Sequence, residues 1–163
     1  MTRHRVAVTG LGLIGPYGSD PGASFDRLMA GESAIRPYVP EPSILKTPVP
    51  AVVCEQFDAE VALGRTTACM TDRYAQFGIA AALNAWQDAG LPLGSPPEER
   101  VRGAVCWGTG LGGTRAVELA YFDVLQKGRT RASPLLIVMG MHNAAAAHVA
   151  MRLGLGGAAT TTS

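Results

Sequence analysis

The sequence predicts an α/β fold whose central strands are buried between helices. Short apolar, β-branched runs alternate with segments of helical periodicity, and two of those runs end in glycine-rich turns. Composition agrees: 47% of the 163 residues are hydrophobic, 17% are charged and 20 are glycine, which suits a sizeable core of closely packed elements.

Residues 4–11 read as a buried strand, followed by a loop. Ser19-Asp20-Pro21 is an N-cap signature, and Phe25, Leu28 and Met29 form the apolar stripe of a short helix that Gly31 ends. Pro37, Pro40, Pro42, Pro48 and Pro50 exclude regular structure from 36–50, although Val49–Cys54 is a candidate edge strand. Thr71–Ala89 is the strongest helix: Thr71 or Asp72 caps it, Gly90 closes it, and Tyr74, Phe77, Ala81, Ala85 and Ala89 share a stripe. Asp88 stands near the negative helix end, where its charge is unfavourable. A polar turn (92–100) leads to a strand, Val101–Trp107, then the turn "GTGLGG" (108–113) and a helix over 114–126. "KGRTRASP" is a basic loop, His142–Leu153 a small-residue helix ended by "GLGG", and Ala158–Ser163 a further strand.

Several function classes are disfavoured. A net charge of +1 makes no case for nucleic acid or a membrane surface, and no run approaches the ~18 apolar residues of a span. The basic opening Thr2-Arg3-His4-Arg5 precedes a run that glycines interrupt at once, unlike a leader peptide. Cys54, Cys69 and Cys106 form no C-x-x-C pair and are odd in number, so buried thiols in a reducing cytoplasm are expected, Cys106 in mid-strand among them. His142 and His148 lie six apart, on different helix faces, and read as structural histidines rather than a metal site.

Gly10-Leu11-Gly12-Leu13-Ile14-Gly15 spells G-x-G-x-x-G, the turn of a dinucleotide-binding unit. Such a unit needs a helix opening at the third glycine, but Pro16-Tyr17-Gly18-Ser19-Asp20-Pro21 postpones it. Glu32, at the distance of a ribose-binding acid, follows a helix-ending glycine rather than a strand. No nicotinamide, flavin or other cofactor is expected.

The succession "VAVTGLGLIGPYG", "FDRLMAGESAI", "TDRYAQFGIAAALNAWQDAGL", "GTGLGG" and "SP…HNAAAAHVAMRLGLGG" closely resembles the N-terminal portion of the β-ketoacyl-acyl-carrier-protein synthases, the condensing enzymes of type II fatty acid and polyketide synthesis. The resemblance implies the first half of a thiolase-like fold, a five-layer α-β-α-β-α sandwich, with residues 1–163 an incomplete ketosynthase domain. It implies decarboxylative Claisen condensation of an acyl thioester with malonyl-carrier. The nucleophilic cysteine is expected about three positions beyond Ser163 and two histidines later still, so that no catalytic residue lies in this chain and the piece alone is inactive. A catalytically silent chain-length factor of a heterodimer is the alternative.

The resemblance also implies roles within the chain. Gly110 and Leu111 stand at an acyl-pocket gate, though Leu111 also fits as a core leucine beside a glycine turn. Leu136 lines the partner subunit's pocket across a dimer interface. Lys127, Arg129 and Arg131 fit a docking loop for the acidic acyl carrier protein, and equally a solvated basic loop. Implied partners are the carrier, a second ketosynthase or chain-length factor, and the C-terminal half of the domain. "TTACM" (66–70) is neutral where relatives carry docking cations, "IVMGMHN" lacks a usual proline, and Gly15 replaces a common serine, which points to a specialised, polyketide-type member.

Overall fold

The computed structural model describes residues 5–43, 45, 47–93 and 103–163. Parts of the turn and strand expected over 92–107, and residue 4 of the first strand, lie outside them. Seven helices and four short strands follow in chain order among the described residues.

Helix α1 (Pro21–Met29) starts where Asp20 Oδ1 accepts the Ala23 N–H at 2.6 Å and stops before Gly31, whose φ of +75° only glycine adopts readily. Its apolar stripe is not buried: Phe25, Leu28 and Met29 are 60%, 61% and 71% exposed, and Ser24 is the buried residue. The spacing of a stripe predicts a helix; burial further requires a facing element, and none among the described residues covers this face.

Strands β1 (Arg36–Tyr38) and β2 (Val49–Ala51) pair antiparallel; β2 forms the first part of the candidate edge strand Val49–Cys54, and β1 corrects the expectation that prolines exclude regular structure from 36–50. Pro37 and Pro50 face each other in register, and a two-stranded ribbon accepts prolines because both strands are edges. Two helices then appear where the sequence showed no clear pattern, α2 (Ala59–Leu63) and α3 (Arg65–Met70). Asp58 caps α2 through the Glu60 and Val61 amides, and Gly64, at φ +82°, separates the pair.

Helix α4 (Arg73–Asp88) is the expected long helix, with Asp72 as its cap, and Gly90 follows its end at φ +69°. Strand β3 (Val105–Gly108) pairs in parallel with β4 (Ala159–Thr162), Trp107 opposite Thr161. Between them run α5 (Thr114–Lys127), α6 (Leu136–Gly140) and α7 (Ala144–Leu153). The core gathers Leu63, Ala75, Ile79, Ala80, Val105, Ala145, Ala146, Val149 and Leu153. Alanines on the facing sides of α4 and α7 let these helices pack together, and Gly78 leaves the space that the Trp107 ring fills.

The expected first strand is not formed. Residues 5–11 join no strand among the described residues, and Val6 and Val8 are 93% and 80% exposed. A strand exists only through a neighbour's hydrogen bonds, and among the described residues β3 bonds only to β4. The segment is anchored nevertheless. Gly10 and Gly12 lie on the Ala85 and Ala81 carbonyls of α4, where a Cβ would collide, and the Leu11 N–H donates to Asp88 Oδ2 at 2.8 Å. Asp88, unfavourable to its own helix, serves this long-range contact.

The thiols depart from expectation. Cys69 and Cys106 are exposed and Cys54 is half-buried. Alternation along β3 turns Val105 and Trp107 toward the helices and Cys106 to the opposite face.

Candidate functional site

Strand β3 ends at Gly108 and hands the chain to the glycine turn, so the turn's position is set by the parallel pairing with β4. The Thr109 N–H extends that ladder, donating to the Thr162 carbonyl at 3.0 Å. Thr109 Oγ1 accepts the Gly112 N–H at 3.2 Å, closing the turn. Gly112 adopts φ +59° beneath the His142 ring, and Gly113 lies on the Met139 carbonyl. Both are buried, and a side chain at either would collide. These two glycines therefore bring the turn against the C-terminal end of α6 and the start of α7.

Tyr74 ties the same region to α4. Its hydroxyl donates to the Met141 carbonyl at 2.6 Å. Burial raises its pKa above the ordinary value of 10.0, while the backbone amides of Ala145 and Ala144 pull it down. Asp72 adds a second tie: one carboxylate oxygen accepts the Tyr74 N–H of α4 and the other the Ala116 N–H in the first turn of α5. Helix α5 has no side-chain cap of its own, because its N-cap is Gly113, so the buried Asp72 supplies one from another element.

Around this frame the predicted gate residues are spread out. Gly110 and Leu111 sit at the exposed crest of the turn, Leu111 being 70% exposed, which removes the core-leucine reading within this chain. Leu136 is half-buried at the first position of α6, the end opposite the one that Gly113 touches. A cavity of ≈ 410 Å³ lies elsewhere, between the 14–19 turn, α2 and α4, with Ile14, Phe57 and Asn84 in its wall and none of the predicted gate residues.

The basic loop is partly neutralised. Asp123 accepts Lys127 Nζ at 2.8 Å and Arg129 Nη1 at 2.9 Å, and the hydrogen bond from Lys127 holds the Asp123 carboxyl below its ordinary pKa. Gly128, left-handed at φ +64°, turns the chain so that Arg129 folds back on the helix. Arg131 is exposed and makes no ion pair among the described residues.

Sequence reasoning missed the side chains that gather beside α3. Thr67, Ile79, His148, Met151 and Arg152 line a pocket of ≈ 210 Å³. The spacing of His148 and Arg152, four apart on one helix, was the available signal. Burial holds the His148 pKa below the ordinary 6.5. Among the described residues no group of His, Cys, Asp and Glu side chains could hold a metal ion. No helix there is long and apolar enough to cross a membrane.

The family model for the β-ketoacyl synthase N-terminal domain matches residues 3–163. The chain is 32% identical to 3-oxoacyl-[acyl-carrier-protein] synthase 2 of Coxiella burnetii over 96% of its length, and 30% identical to the Vibrio cholerae protein of the same name over 96%. In each case it spans 37% of the relative. Among solved structures, the ishigamide ketosynthase/chain length factor superposes with a TM-score of 0.81, at 26% identity, over 99% of this chain and 40% of the other. A β-ketoacyl synthase from Burkholderia phymatum shares the fold, with a TM-score of 0.70 at 22% identity over 95% of this chain and 38% of that one. The same family model thus accounts for the glycine turn, the α4 pattern and the α7 pattern together, and the chain belongs to the β-ketoacyl synthase family, matching its N-terminal domain.

Proposed function

We propose that this chain is the N-terminal part of a β-ketoacyl-acyl-carrier-protein synthase. In that reaction a cysteine thiolate takes an acyl group from its carrier. Malonyl-carrier then loses CO2, and the resulting enolate attacks the acyl thioester, forming a carbon–carbon bond and releasing the thiolate. The observation that carries the reading is the match to 3-oxoacyl-carrier synthases across 96% of the chain. The nucleophile is placed about three positions after Ser163, and no residue of this chain takes its role.

Within the chain, Gly110, Leu111 and Leu136 are assigned to the acyl-pocket gate and the dimer interface. Leu111 stands clear of its own core, as a residue that meets another part of the assembly must. Lys127, Arg129 and Arg131 are assigned to carrier docking, with Arg131 as the charge that no carboxylate among the described residues holds. A structural neighbour described as a type II polyketide carrier protein in complex with its ketosynthase, 19% identical, shares the fold. The protein is placed in the cytoplasm.

The five-layer sandwich draws support from one sheet face. Parallel strands are normally covered on both sides. Cys106, Thr160 and Thr162 share a face of β3–β4 and are exposed, which leaves that face for a further helical layer.

The second reading is a silent chain-length-factor subunit; the neighbour that superposes at 0.81 is described as a ketosynthase/chain length factor, words that cover both kinds of subunit. One experiment separates the two. The complete protein is incubated with acyl-carrier and malonyl-carrier, and CO2 release and β-ketoacyl product are measured. Condensation that alkylation of the cysteine abolishes supports the enzyme. Absence of product, restored by adding a separate ketosynthase subunit, supports the silent partner.

A further inference from the structure

A pocket where α3, α4 and α7 meet has a chemistry that the condensing activity does not use. His148 and Arg152 lie four residues apart on α7 and so share a face of the helix. Helix α3 brings Thr67 to the same place, Ile79 of α4, 1% exposed, lines it too, and the open pocket has a volume of ≈ 210 Å³. Among the described residues, the Arg152 guanidinium, the His148 imidazole and the Thr67 hydroxyl have no hydrogen-bond or ion-pair partner. Thr67 contributes only its carbonyl, which accepts the Thr71 hydroxyl.

Other pockets with charged walls differ in sign or are already satisfied. Asp58 lines the ≈ 410 Å³ cavity. Arg27 and Arg36 share a third pocket, but Glu32 and Glu55 hold them at 2.7 and 3.1 Å. Lys127 reaches a fourth pocket together with Glu41 and is paired with Asp123. The α7 pocket contains a cation and no carboxylate.

We propose that Thr67, His148 and Arg152 form a binding site for a phosphate group. The planar guanidinium presents several donors in a fork suited to tetrahedral oxyanions. The hydroxyl and one imidazole N–H supply directional bonds beside it, and Ile79 and Met151 give the site apolar walls. His148 is held neutral near pH 7 by its burial, so the charge of the empty site comes from Arg152 alone. A bound dianion reverses that balance and draws a proton onto the imidazole.

The test is an NMR titration of the His148 imidazole in the intact protein, identified by its loss in His148→Gln. Inorganic phosphate is the first probe, glycerol phosphate the second, and chloride at matched ionic strength the control. Expected are a saturable shift with phosphate, none with chloride, and a raised His148 midpoint in the bound state. Arg152→Gln, at an exposed position, should weaken phosphate binding at least about tenfold while leaving the circular dichroism spectrum unchanged. Glycerol phosphate binding as tightly as the free anion assigns the site to a phosphate ester, and weaker binding assigns it to inorganic phosphate. A shift that chloride reproduces, no saturation, or unchanged affinity in Arg152→Gln overturns the proposal. Weakened carrier-protein binding by Arg152→Gln without any phosphate response also overturns it, in favour of a protein contact.

Discussion

At the scale of single residues, the heaviest demand falls on Asp72. Its two oxygens cap α4 and, across space, α5, and the residue is only 5% exposed. Asp72→Ala leaves two half-buried amides without their acceptor and should destabilise the complete protein by about 1–3 kcal/mol in a denaturant titration. Gly78→Ala places a Cβ against the Trp107 ring, whose Cζ3 would lie 2.8 Å away, and overpacking there should cost about 1–3 kcal/mol by the same measurement. His148 gives a pH signature. Burial depresses its folded pKa, so its neutral form is favoured and its contribution is fully present above the unfolded value of 6.5. Folding stability should fall as pH drops below that value, and His148→Gln should flatten this slope. None of the three roles could be read from the sequence beforehand, except that Asp72 was one of two candidate caps. Which backbone amide a carboxylate reaches 44 residues away depends on how the helices pack.

At the scale of elements, the end of α5 shows how local chemistry limits a surface function. Lys127 and Arg129 both rest on Asp123, whereas Arg131 stands free of any described carboxylate. If the loop docks an acidic carrier, Arg131→Glu should weaken carrier binding more than Lys127→Glu, and Asp123→Asn should strengthen it. Affinities measured at low and high salt would check both, since steering between exposed charges fades with ionic strength. Equal effects of the two reversals would remove the internal pairing as the cause. The helices were legible where a cap, a period and a closing glycine coincided, as in α4 and α7, each of which ends next to a left-handed glycine. Short α2 and α3 were not, because five or six residues carry too little periodicity. Strand β2 falls within the candidate edge strand Val49–Cys54, whereas prolines argued against β1, which exists because each strand of the ribbon needs only one neighbour.

For the whole molecule, exposed surface is the deciding quantity. A compact monomer of 17.0 kDa is expected to expose about 7,700 Å², whereas this chain exposes 11322 Å². Val6, Leu111, Leu125 and Ile137 are each at least 70% exposed, so the excess includes apolar side chains. The 163-residue piece expressed alone should aggregate or form a loose state, with dye-accessible apolar surface and weak near-ultraviolet circular dichroism. A sharp two-state melt of the isolated monomer would sink this prediction. The share of the relatives that the chain covers, 37%, agrees with a unit that buries its surface against more protein.

By itself the sequence determined the family, the α/β class and the long helices, because each depends on local order: motif succession, period, caps and glycines. Only the tertiary structure decided that the first apolar segment joins no strand among the described residues and that α1 leaves its stripe exposed. It also decided that Asp88 serves Leu11, and that Thr67, His148 and Arg152 meet in one pocket. These outcomes turn on which elements become neighbours, and burial, pairing and convergence are properties of neighbours rather than of the residues that enter them.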